Sequence, residues 1–136
     1  MMKPQFFHKL PEMEKGYSMS LAVRAGDYVF IGGLTATDNK GNELHADNPG
    51  AQMKRIYEIL DEVLKEFGGT SRDVVSEVIY YDVSGNEYTE KLFPHRRAFY
   101  GEEGPSVVGM QVVGFISPAI HVETTAVAFL PQPTLP

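Results

Sequence analysis

At 136 residues the chain has room for one hydrophobic core and is expected to form a single domain. Its 12 Lys and Arg against 18 Asp and Glu give a net charge of -6, and no basic run can track a phosphate backbone, which argues against a nucleic-acid partner. With no Cys there is no disulfide or Cys-ligated zinc. With neither a signal-peptide core nor an apolar run near the ~20 residues of a membrane span, the expected location is the cytoplasm, away from membranes.

Residues 1–16 mix Pro4, Pro11 and charged side chains with Phe6 and Phe7, which predicts an extended arm that docks by its aromatics. A core over 17–130 and a short tail over 131–136 follow. Tyr17 to Val23 is strand-like, and Ala25-Gly26-Asp27 turns it into Tyr28-Val29-Phe30-Ile31, a hairpin. Gly32-Gly33 ends the second strand either as a bulge or as a place where a ligand or backbone approaches the main chain.

Beyond a solvated turn at Asp38-Asn39-Lys40-Gly41, Asn48 is a suitable N-cap and Pro49 a tolerated first-turn residue. Met53, Ile56, Tyr57, Leu60, Val63, Leu64 and Phe67 then follow helical spacing up to Gly68-Gly69. This predicts a helix about 27 Å long whose one apolar stripe lies across a sheet. Ser71 to Val83 reads as a strand. A second helix falls within Asn86 to Tyr100, where Pro94 makes it start late, kink or break in two.

Gly101 to Pro105 leads into two apolar strands, Val107 to Phe115 and Ile120 to Leu130, joined by a short turn at Ser117-Pro118. The order β-β-α-β-α-β-β defines an α+β fold, a sheet with both helices on one face. The strand from Val107 is apolar on both alternating faces, so another copy of the chain is expected to cover the second face in a closed homo-oligomer. Glu123 is the one carboxylate on the last strand, among residues where an ionised group is costly unless paired or used.

Gly16-Tyr17-Ser18, Tyr28-Val29-Phe30-Ile31-Gly32-Gly33, the helix and strand ending at Asp82, and Pro105 opening the strand that leads to Val122-Glu123 together resemble the RidA family. The family is also called YjgF/YER057c/UK114 or endoribonuclease L-PSP. The resemblance runs from about Gly16 to Leu130. It implies a chorismate-mutase-like fold, a barrel-like homotrimer with clefts between its subunits, and hydrolysis of reactive enamines and imines, such as those derived from 2-aminoacrylate, to keto acids and ammonia. Its site residues would be Tyr17, the backbone around Gly32 and Gly33, and Glu123, which in the family orients or activates water. The family's deaminating branch binds the substrate carboxylate with an Arg shortly after the Pro, where this chain has Val107 and Val108, and its usual Ser-Gly is here Gly32-Gly33. The chain is thus an Arg-lacking relative whose substrate is expected to be other than 2-aminoacrylate.

The residues fit such chemistry. One buried carboxyl can protonate an imine nitrogen and position water in turn, main-chain N–H groups at Gly33 can hold an oxygen, and the Tyr17 hydroxyl can bind substrate or water. The alternatives are a Glu123 paired with an Arg across an interface and a Tyr17 that packs an interface. His121 either tunes Glu123 or is merely hydrogen-bonded, and no third ligand suggests a metal. Arg96 and Arg97, with His95, either replace the missing anchor or form a solvated helix face. Arg24, which begins a turn, is expected at the surface. No phosphate loop, nucleophile elbow or dinucleotide fingerprint calls for a cofactor. Three functions follow: an imine or enamine hydrolase, a non-catalytic trimer that binds a small metabolite as sensor or chaperone, and a ribonuclease or translation inhibitor, which the acidic composition disfavours.

Overall fold

The computed structural model describes residues 3–132. The strands are β1 (Gln5–Phe7), β2 (Ala22–Ala25), β3 (Tyr28–Leu34), β4 (Val74–Tyr81), β5 (Ser106–Gln111) and β6 (Val122–Phe129). The helices are α1 (Pro11–Gly16), α2 (Pro49–Glu66), α3 (Gly85–Glu87) and α4 (Phe93–Tyr100). The strands form one mixed sheet in the order β1-β2-β3-β6-β4-β5, in which only β4 and β5 run parallel.

α2 forms as its sequence dictates. The Asn48 side chain accepts the Ala51 N–H, Pro49 opens the first turn, and Gly68 closes the end at φ +78°. Its stripe of Met53, Ile56, Leu60, Val63 and Leu64 is fully buried against Val29, Ile31, Val122, Ala126 and Ala128 of the sheet. The α3 to α4 stretch packs beside it on the same face, giving the expected α+β layering. That stretch is broken as Pro94 predicts: α3 passes into a π-helical turn over Tyr88–Leu92, and Pro94 sits in the first turn of α4.

The structure corrects three expectations. The N-terminal arm is not simply extended, because β1 pairs with β2 and α1 follows. Phe7 does dock by its ring, edge-on to Phe67 at 5.8 Å. The next strand begins at Ala22 rather than Tyr17, since Ser18 turns the chain at φ +56° and the Leu21 N–H is taken by the buried Glu14 carboxylate. Finally, β5 and β6 are not neighbours. β5 ends at Gln111 on the sheet's edge, Val112 donates back to the Tyr81 carbonyl, and residues 112–121 carry the chain to β6 between β3 and β4. Of the expected tail, 133–136 lie outside the described residues.

The sheet's other face is open in the protomer. Tyr28, Phe30, Val75 and Phe129 are each 40–50 % exposed there, with Tyr28 and Phe129 in ring contact at 5.3 Å.

Candidate active site

β6 alternates strictly: Val122, Thr124, Ala126 and Ala128 are buried under α2, so Glu123, Thr125 and Val127 point to the open face. Glu123 stands directly opposite Tyr80 of β4. On its other side β3 slips register between Gly32 and Leu34, a bulge. The bulge reading of Gly32-Gly33 is therefore met, and it is the Glu123 side chain that packs against Gly33. A Cβ on Gly33 would collide with the Glu123 carboxylate, and a Cβ on Gly32, which has φ +125°, would lie 2.9 Å from the Thr124 carbonyl oxygen.

Glu123 makes no hydrogen bond or ion pair with the described residues, and burial alone holds its carboxyl above the usual range. A shallow cleft in front of it is lined by Tyr80, Val112, Gly114, Phe115 and Thr125, none of them cationic. A half-buried carboxyl without a counter-ion keeps its proton to higher pH and can still ionise, as a general acid and base requires.

Three expected site residues lie elsewhere in the protomer. Tyr17 follows α1, is 76 % exposed and does not line the cleft. Val107 lies on the edge strand β5 opposite Glu77. His121 precedes β6, with Nδ1 2.8 Å from Asp82 Oδ1 and Nε2 2.8 Å from Asp47 Oδ1. The hydrogen bond to Asp47 is the main cause of its raised pKa; Asp82 adds to it and burial opposes it.

Arg96 is neither a substrate anchor nor a solvated helix residue. Its Nε lies 2.9 Å from Oε1 of Glu77, a side chain with no exposure, and its guanidinium also reaches the Pro105 carbonyl at 3.4 Å. The Tyr57 and Tyr100 hydroxyls donate to the same carboxylate at 3.2 Å each. Arg97 pairs at 3.8 Å with Glu102 on the surface. Arg24 is part-buried and donates to the Leu130 carbonyl at 2.8 Å. Tyr80, Thr125 and Phe115 were missed as site residues, although alternation from Ile79 and Thr124 was a usable signal for the first two.

A sheet with helices on one face and an uncompensated carboxylate beside bulged glycines on the other defines a small α+β protein with its site on the open face. Residues 7–130 match the endoribonuclease L-PSP family, and the chain belongs to that family, the RidA or YjgF/YER057c/UK114 family. It is 25 % identical over 125 residues to a RutC family protein of Pyrococcus abyssi, covering 91 % of this chain and 94 % of the relative. Over 113 residues it is 25 % identical to the 3-aminoacrylate deaminase RutC of Acinetobacter baylyi, covering 79 % and 82 %. The fold matches the crystal structure of Rv2704 of Mycobacterium tuberculosis, a YjgF/YER057c/UK114 family member, with a TM-score of 0.79 at 23 % identity, covering 94 % of this chain and all of the other.

Proposed function

We propose that the chain is a small hydrolase that deaminates an imine or enamine, with Glu123 as its acid and base. The observation that carries this is the Glu123 carboxyl beside the cleft, held above the usual carboxylate range by burial and without a hydrogen-bond or ion-pair partner among the described residues. The protonated carboxyl gives its proton to the imine nitrogen. The carboxylate then takes a proton from water as the oxygen bonds to the imine carbon. Proton transfer to nitrogen and cleavage of the C–N bond release ammonia and leave a carbonyl product. The main chain at Gly33 borders the carboxylate and is placed to position substrate or water.

The active form is a homotrimer whose subunits meet over the open sheet face, which supplies the apolar area an interface needs. Tyr17 and Val107, distant from the cleft in one protomer, join it from that neighbour. A relative named 3-aminoacrylate deaminase supports the reaction class. Val107 in place of a cationic anchor, and a cleft lined by Tyr80 and Phe115 with no basic side chain, favour an imine without a carboxylate over 2-aminoacrylate.

The test is ammonia release from imines generated in situ from a panel of amino acids, amides and amines, beside Glu123→Gln. Release above the uncatalysed rate in wild type alone supports the hydrolase. Equal release from both proteins above the uncatalysed rate refutes Glu123 as the acid and base, and release at the uncatalysed rate from both means that these imines are not substrates or that the cleft only binds.

A further inference from the structure

A second cavity, of about 170 Å³, lies on the other side of the Gly32-Gly33 bulge, beneath the segment from Lys9 to Leu21. Leu34 of β3 and Ile59 of α2 line it with Leu10, Met13, Met19 and Leu21, while Ser20, Thr35 and Thr37 add polar positions, so the larger part of its wall is apolar. The covering segment is pinned in place. Both ends of its central part rest on Glu14, whose carboxylate accepts the Leu10 N–H at 2.5 Å and the Leu21 N–H at 2.7 Å. Lys9 Nζ reaches Glu62 of α2 at 3.5 Å.

The charges around the cavity are thus committed to partners, which leaves no anchor for an ionic ligand. Water gains little along the apolar part of the wall, whereas apolar cavities of about 150 Å³ in other proteins admit benzene, and Ser20, Thr35 and Thr37 leave room for one hydroxyl on the guest. Met13 and Met19 are flexible, polarisable side chains that adapt to an aromatic guest. We propose that this cavity is a binding site for a small, uncharged, mainly apolar molecule of benzene or phenol size, separate from the cleft in front of Glu123. The two sites share Gly33, which lines the cavity and abuts the Glu123 carboxylate.

Protein carrying ¹³C-methyl methionine and titrated with phenol tests this. Met13 and Met19 line the cavity, while Met53 lies in the core and Met110 on β5. Saturable shifts are expected at Met13 and Met19 and not at Met53 or Met110. Met19→Trp and Met13→Trp, both at partly exposed positions, should each weaken phenol binding by at least about tenfold, with an unchanged Met53 signal identifying folded protein. Glu123→Gln should bind phenol as wild type does even though the proposed hydrolysis is lost. Absence of saturable shifts in wild type, undiminished binding in both folded Trp variants, or loss of binding in Glu123→Gln overturns the proposal.

Discussion

Gly33 and Glu123 meet across β3 and β6 so closely that a Cβ on Gly33 would collide with the Glu123 carboxylate. Gly33→Ala must therefore push the carboxylate aside, and the clash is with the far end of a flexible side chain rather than with backbone. Turnover in the proposed reaction is expected to fall at least about tenfold for a stability loss of only about 1 kcal/mol. A double-mutant cycle measured by chemical denaturation checks the contact: in a Glu123→Ala background most of the stability cost of Gly33→Ala should vanish. An undiminished cost would place the strain elsewhere in the bulge.

Burial gives Glu123 a pH signature. Its folded pKa lies above the ordinary 4.5, so over that interval the native chain holds a proton that the unfolded chain has released. Stability from this group consequently falls as pH rises from 4.5 through the folded value, and is constant above it. Glu123→Gln removes the loss and should gain on wild type across that window. Glu77, also raised chiefly by burial, is present in both proteins and cancels. Denaturation curves at a series of pH values test this, and a gap that does not widen would contradict the sign.

Phe30 sits half-exposed on the open sheet face, opposite Val127 of β6 and Val23 of β2. If copies of the chain meet there, Phe30→Glu places a charge in an apolar interface and should shift the assembly of 15.1 kDa chains toward monomer. Sedimentation velocity reads the mass directly. An oligomer that is undisturbed by the substitution would move the interface off this face.

The elements that local pattern specifies were legible in the sequence. The Asn48-Pro49 start and the Met53 to Leu64 stripe describe α2 without reference to the rest of the chain, and Glu123 stood out because its neighbours are apolar. What depends on distant partners was not. A strand apolar on both faces, such as the one from Val107, gives no sign of whether it pairs with β4 or β6. Nor does any local pattern tell that Arg96 folds inward onto Glu77, 19 residues away. Phe115 reaches the cleft from a loop that periodicity cannot place.

The Glu77 cluster is a buried charge that depends on its partners. Arg96→Met leaves the carboxylate desolvated with only the Tyr57 and Tyr100 hydroxyls, and a loss of about 3–5 kcal/mol is expected. Glu77→Gln with Arg96→Met removes both charges and should recover part of that loss. Urea denaturation of wild type, Arg96→Met, Glu77→Gln and the double variant decides, and additive losses would mean that the pair is not coupled.

His121 holds together the Asp47 loop before α2, the Asp82 end of β4 and the entrance to β6. Both ring nitrogens face carboxylate oxygens at 2.8 Å, and an ionised carboxylate only accepts, so this pair of contacts favours the imidazolium, which donates from both nitrogens. Its folded pKa lies above the ordinary 6.5. The stabilisation it brings is therefore fully present below pH 6.5 and is lost as pH rises through the folded value. His121→Asn keeps a short polar side chain but no titratable charge. It should be less stable than wild type at pH 6, with the difference narrowing as pH rises from 6.5 through the folded value, and thermal unfolding across this range measures it. Parallel curves for the two proteins would show that the clamp does not depend on the imidazolium, whereas convergence would tie the fold's closure at this end of the sheet to one proton.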